Sequence, residues 1–79
     1  MNVGIGQVYW WNPGPEMSVE FRVDYLGTQP PNKRIAWCAT RNIVLTDVWS
    51  APNFVTGAGR VTLLWLAENT TILLNPRTT

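Results

Sequence analysis

The feature that most constrains the fold is the apolar run near the C-terminal end of the sequence, RVTLLWLAENTTILLN, residues 60–75. Successive side chains of a strand point to opposite faces, so alternate residues of this run share a face. Read in this way, one face carries Val61, Leu63 and Trp65, and the other carries Thr62, Leu64 and Leu66. The run therefore predicts a β-hairpin that is apolar on both faces. Its outer face needs a cover other than the core of its own domain.

The small size of the chain also indicates that the domain needs contact with another subunit. All 79 residues are predicted to form a single β domain, residues 1–79, and a domain of this size buries only about 60% of its unfolded surface. Cys38 is the only cysteine and there is no histidine, so neither a disulfide nor a structural zinc site can add stability. We therefore expect association with other subunits.

Charge is sparse, because 14% of the residues are charged against about 25% in an average chain. A net charge of +1 does not predict binding to the phosphate backbone of a nucleic acid.

The sequence has no apolar span of about 18 residues and no basic N-terminal region followed by an apolar one, so we expect neither a membrane span nor a secretion signal. A single unpaired cysteine is compatible with a reducing cytoplasm.

Turn signals and strand-like runs alternate along the chain. The clearest run is residues 18–26, where Val19, Phe21, Val23 and Tyr25 alternate with Ser18, Glu20, Arg22 and Asp24. Further strands are predicted at residues 3–11, 34–40 and 43–50 and in both arms of the hairpin. Segments rich in Pro, Gly or Asn separate the runs at residues 12–15, 27–33, 41–42 and 51–59. The predicted fold is all-β, with about six short antiparallel strands in a sandwich or flattened barrel and almost no helix.

Catalytic side chains are scarce. Without histidine, the acid and base candidates are mainly carboxylates, and Glu20 and Asp24 would lie roughly 13 Å apart on one strand face, which is too far for a catalytic pair. Glu20, Arg22 and Asp24 are interpreted as a solvated face. Cys38 is predicted to be a small packed hydrophobe, because no histidine is present to activate its thiol. We expect no enzymatic activity, no cofactor and no metal.

Aromatic residues are the more informative group. Five tryptophans occur in the chain, and alternation places Trp10 on the opposite face from Tyr9 and Trp11. One interpretation is that the other tryptophans fill the core while one ring of this group covers an open end. The alternative is an anchor for a protein interface, or a flat platform on which a sugar ring stacks. Five arginines against one lysine favour the protein interface, because guanidinium groups pair bidentately.

Phe54 lies in the long irregular segment 51–59, which either covers a hydrophobic end of the domain or forms a binding site. The predicted interface residues are Tyr9, Trp10, Trp11, Phe54, Arg60, Leu64 and Leu66.

These observations predict a non-enzymatic structural subunit that forms homo-oligomers and docks on a larger assembly. By analogy with proteins of similar size and composition, we expect a virion-associated subunit of a virus or phage, either a capsid-decorating (cement) protein or a tail accessory protein. Such a protein is made in the host cytoplasm and resides in the virion. Two alternatives remain open. One is a small lectin-like module that binds carbohydrate through exposed aromatic rings, and the other is a small inhibitor of a host enzyme.

Overall fold

The computed structural model describes residues 2–74. Its elements are β1 (Val8–Gly14), β2 (Met17–Gln29), β3 (Lys33–Asn42), β4 (Arg60–Thr62), α1 (Leu63–Asn69) and β5 (Thr71–Leu74). The five strands pair antiparallel in one sheet, in the order β4-β3-β2-β1-β5. The predicted small, mostly β, antiparallel domain is confirmed. The predicted number of six strands is wrong, and the described residues do not form the second sheet that a sandwich requires.

The centre of the sheet is a meander of β1, β2 and β3. The β2–β3 pairing continues to Gln29 and Lys33, so the predicted long connection at residues 27–33 is instead the end of a hairpin. Strand β1 likewise runs through the predicted turn at residues 12–15 as far as Gly14. The Asn12 amide donates to the carbonyls of Gly14 and Met17 (3.2 and 2.9 Å), and the β1–β2 register shifts at this point. This irregularity accommodates a proline within the strand.

The apolar run at residues 60–75 does not form the predicted hairpin. After three residues of β4, the chain turns into α1, because the Thr62 hydroxyl accepts a hydrogen bond from the Trp65 amide (3.0 Å) and so caps the helix. Strand β5 then pairs with β1 at the far edge of the sheet. Asn75, the end of the predicted hairpin, and the polar tail that follows it lie outside the described residues. No helix in residues 2–74 is long and apolar enough to cross a bilayer.

Helix α1 covers one face of the sheet and closes the hydrophobic core. The buried core residues are Val3, Tyr9, Phe21, Val23, Ala36, Cys38, Leu63 and Leu66. Cys38 is a packed hydrophobe, as predicted. The rings of Trp11 and Phe21 meet Trp65 of the helix edge-to-face, with centroids 5.3 and 5.4 Å apart. This is the geometry that aromatic rings prefer in a core.

A loop, residues 43–59, covers the other face of the sheet. The strand predicted at residues 43–50 is wrong, because Asn42 forms a turn instead. Its carbonyl accepts from the amides of Leu45 and Thr46 (3.0 and 2.8 Å), and its side chain accepts from the amide of Val44 (3.1 Å). The predicted irregular segment 51–59 follows. In the described part of the chain, the sheet thus lies between a helix and a loop.

Candidate interaction surface

A β-bulge in β2 places Tyr25 on the loop side of the sheet. Val23 pairs with Cys38, whereas Tyr25 pairs with Trp37, so Asp24 is an extra residue between the two pairs. One inserted residue reverses the alternation of side chains. The prediction that Tyr25 shares a face with Val23 is therefore wrong. Its ring is exposed instead, next to Trp37.

Three aromatic rings meet on this face. The Phe54 ring lies 4.6 Å from the Trp37 ring and 5.4 Å from the Tyr25 ring, between centroids. The Arg60 guanidinium lies over the Trp37 ring at 5.8 Å. Phe54 is nevertheless 59% exposed. Two of the predicted interface residues, Phe54 and Arg60, are thus brought together around Trp37.

The turn that carries Phe54 is held by local hydrogen bonds to the Asn53 side chain and by two glycines. The Asn53 side chain accepts from the amides of Val55 and Thr56 (2.9 and 3.1 Å), in the manner of an Asx turn. Gly57 and Gly59 have positive φ angles of 82° and 85°, a conformation that favours glycine. Segment 53–59 therefore forms a hydrogen-bonded turn with a specific backbone conformation.

Trp49 fastens the first half of the loop to the sheet. The guanidinium carbons of Arg22 and Arg41 lie 4.9 and 4.4 Å from the centroid of its ring. Cation–π contacts of this kind contribute about 0.5–2 kcal/mol each. The neighbouring residue, Ser50, exchanges two backbone hydrogen bonds with Thr40 (2.9 and 2.8 Å). The loop is therefore held by a side chain and by the backbone at the same point.

Each of the two arginines is also paired with a carboxylate. Arg22 donates to Asp24 at 3.0 Å, and Arg41 donates to Glu20 through two nitrogens. All four side chains are half-buried. The interpretation of Glu20, Arg22 and Asp24 as a solvated face holds only in part: the Arg22 side chain is 40% exposed, whereas the Glu20 side chain is 13% exposed and pairs with Arg41 on the neighbouring strand. The contacts of Trp49 with Arg22 and Arg41 were not predicted from the sequence. The available signal was the excess of arginine over lysine, since guanidinium stacks well on aromatic rings.

The loop presents its apolar side chains to the outside. Among them, Leu45 is 79% exposed and Val55 is 94% exposed. We call the following set the apolar loop surface: Ile43, Val44, Leu45, Val48, Phe54 and Val55. Asp47 is the only ionisable residue in residues 43–59. This composition is typical of a surface that contacts protein.

Two of the predicted interface residues lie in the core. Tyr9 is 2% exposed, and its hydroxyl donates to the Gln7 side chain at 2.7 Å. Burial raises the pKa of the Tyr9 hydroxyl, and the nearby Cys38 thiol raises it further. Leu66 has no exposed surface, because the helix turns it onto the sheet. Their assignment to a surface is therefore wrong.

The remaining predicted residues lie at separate places. Trp11 packs against the core, and the Trp10 indole donates to the Ser18 hydroxyl at 2.6 Å. Leu64 is 66% exposed and lines a groove at the start of α1. The interface role of these three residues stays a prediction.

Two further kinds of site, a reactive thiol and a metal site, were tested against the side chains of the structure. Burial raises the pKa of Cys38 to about 12, helped by the negative charge of Asp24, so this thiol is protonated at neutral pH. Within residues 2–74, no group of three or more Cys, Asp or Glu side chains could hold a metal ion. Comparison of the chain with protein-family models, curated proteins and solved structures gives no match. The apolar loop surface is therefore the best candidate for a functional site.

Proposed function

We propose that this protein is a non-enzymatic interaction subunit, which associates with copies of itself and docks on a larger assembly through the apolar loop surface. The observation that carries the proposal is the exposure of six apolar side chains on one loop that is fastened to the sheet. Exposed apolar groups that a fold presents in this way mark sites of protein interaction.

The energetics of such a contact are favourable. Burying an exposed Val, Leu, Ile or Phe side chain contributes about 1.5–3 kcal/mol. Association also costs free energy when a loop has to be ordered. Here Trp49 and the Asn53 turn hold the loop before any partner arrives. More of the energy of burial is then available for binding.

A virion-associated role, as a capsid-decorating (cement) or tail accessory protein, is the narrower form of this proposal. The small chain, its sparse charge and the apolar loop surface support it. The same features support a small inhibitor of a host enzyme, which would differ only in the partner. In either case the chain supplies a rigid contact surface and no catalytic group.

The carbohydrate-binding alternative depended on a stacking platform formed by Tyr9, Trp10 or Trp11, with Trp49 as a further candidate. Tyr9 and Trp11 instead pack in or against the core. The exposed rings of Tyr25 and Phe54 meet at 61°, which is a tilted pair and not a flat stacking surface. No specific contact therefore favours this alternative.

The first prediction concerns self-association, measured as the molecular mass of the protein in solution. Size-exclusion chromatography with light scattering is run over a concentration series at about 1 M salt, where charge contacts are screened within about 3 Å. We expect a mass above that of the monomer for the native chain. The double variant Leu45→Ser/Val55→Ser should be monomeric, because the two side chains with the highest exposed fractions in the apolar loop surface are gone.

A matched control removes exposed apolar side chains elsewhere. Ile5→Ser/Leu73→Ser changes two side chains outside the loop and should keep the native mass at high salt. Far-UV circular dichroism checks that every variant is folded. A native chain that is monomeric at all concentrations, or a loop variant with the native mass, would overturn the proposal.

A further inference from the structure

We propose that the two ends of the sheet form a head-to-tail contact between copies of this chain. The turn between β1 and β2, residues 13–17, is the acidic turn. The groove at the other end is the basic groove, which is lined by Lys33, Arg34, Thr62, Leu63, Leu64 and Ala67. In the proposed contact, the acidic turn of one copy enters the basic groove of the next. This inference rests on the proposed self-association and names a second surface for it.

The basic groove forms where the start of α1 meets the turn between β2 and β3. Its volume is about 410 Å³. Lys33 and Arg34 lie on its rim, are both exposed, and form no ion pair with any residue in the range 2–74. Leu63 and the exposed Leu64 supply apolar walls. The groove therefore suits an occupant that is acidic and partly apolar.

The acidic turn has that composition. Glu16 is exposed and has no ion-pair partner in the described part of the chain. Pro15 and Met17 flank it, and Met17 is 43% exposed. A carboxylate between apolar groups complements two cations beside leucines.

These two surfaces cannot meet within one molecule. They lie at opposite ends of the 13-residue strand β2, whose pairing with β3 continues to Gln29 and Lys33. The longest dimension of the fold is 36 Å. Charges in solution are screened within about 8 Å at physiological salt, so neither end neutralises the other. A second copy, however, always carries the complementary end.

Charge also decides between the possible arrangements of two copies. A contact between two acidic turns would place Glu16 of one copy against Glu16 of the other. A contact between two basic grooves would place Lys33 and Arg34 of one copy against the same two residues of the other. Like charges in contact are unfavourable. Only a contact between the acidic turn of one copy and the basic groove of another pairs opposite charges, and two copies related by a two-fold axis can make this contact twice. Repetition of the contact from each copy to the next instead gives a ring or an open filament.

The second prediction is a charge reversal with rescue by mixing. At about 0.01 M salt we expect the native chain to have a higher mass than at about 1 M salt. The variants Glu16→Lys and Lys33→Glu/Arg34→Glu should each lose this increase, with association weaker by at least about tenfold. An equimolar mixture of the two variants should recover it, because each end then faces an opposite charge. The triple variant Glu16→Lys/Lys33→Glu/Arg34→Glu should recover it alone.

Glu68→Lys is the matched control for Glu16→Lys, since it makes the same change in net charge on an exposed residue of α1. It should keep the salt-dependent increase. The proposal is overturned if both reversed variants keep the native increase in mass or if mixing them fails to restore it. A native mass that is high and independent of salt overturns this inference alone, and a monomer at both salt concentrations overturns the proposed function as well.

Discussion

Gly59 is the residue at which the loop comes closest to the sheet. Its carbonyl accepts a hydrogen bond from the Cys38 amide at 2.8 Å, and its φ angle is 85°. A Cβ atom at this position would lie 2.2 Å from the carbonyl oxygen of Cys38. Both the backbone conformation and the available space therefore require glycine.

The third prediction concerns this glycine. Gly59→Ala should lower the free energy of unfolding by roughly 2–5 kcal/mol, from a strained φ angle and from steric displacement of the sheet. Gly14→Ala is the control, because a Cβ there meets no atom within 4 Å. It should change stability by no more than about 0.5 kcal/mol. Urea unfolding measures both values, and equal effects would show that the contact with Cys38 is unimportant.

The fourth prediction is a loss of stability at high pH caused by Cys38. The thiol ordinarily ionises with a pKa of 9.0, but burial raises its pKa in the fold to about 12. Above pH 9.0 the unfolded chain therefore releases a proton that the folded chain retains, so the free energy of unfolding falls as the pH rises towards 12. The slope from this group is at most about 1.4 kcal/mol per pH unit.

Cys38→Ala separates this effect from the titration of other groups. The variant is less stable at neutral pH but should show a shallower decline above pH 9.0. Burial raises the pKa of Tyr9 in both proteins and acts in the same direction, whereas the contribution of Cys38 to this pKa is absent from the variant. Identical slopes for the native chain and the variant would contradict the prediction.

For single residues, the sequence correctly predicted that Val19, Phe21 and Val23 share one face of a strand. The alternation fails at Tyr25, because the bulge at Asp24 depends on pairing with a strand that is distant in sequence. Phe54 and Arg60, which meet around Trp37, were also among the interface residues predicted from the sequence. The sequence could not predict the contacts of Trp49 with Arg22 and Arg41, which form only when the loop folds back on the sheet.

Among the elements, α1 departs most from the prediction. Leu63 and Leu66 are three residues apart, a spacing that fits one helix face, while the same stretch also alternates as a strand would. A short apolar run does not distinguish the two periods. The Thr62 cap and the contact of Leu66 with the sheet select the helix. The run is apolar because the helix packs on the core, not because a partner has to cover a strand.

The fifth prediction separates the two leucines that were both assigned to an interface. Leu66→Ala should destabilise the fold by about 2–5 kcal/mol, because it leaves a cavity between α1 and the sheet. Leu64→Ala should change stability by no more than about 0.5 kcal/mol, since this side chain is 66% exposed. Thermal or urea unfolding of the two variants tests this. Equal losses would mean that both leucines belong to the core.

For the whole molecule, a mostly β fold could be predicted because strand-like runs and turn signals dominate the sequence. The arrangement of layers could not. The loop at residues 43–59 resembles a strand in its first half, since IVLTDVWS is apolar and β-branched, but Asn42 starts a turn there. Only the assembled fold shows that these residues cover one face of the sheet and project the remaining apolar groups outward.

The strand order has a consequence for the synthesis of the chain. Strands β1, β2 and β3 are consecutive and can pair as soon as they leave the ribosome, whereas the outer edge of β1 pairs only with β5. Roughly 60 residues separate these two strands, which is several seconds of translation at about 5–20 residues per second. A hairpin forms in about 1–10 μs. During those seconds, every nascent copy on a polysome presents an open strand edge to its neighbours.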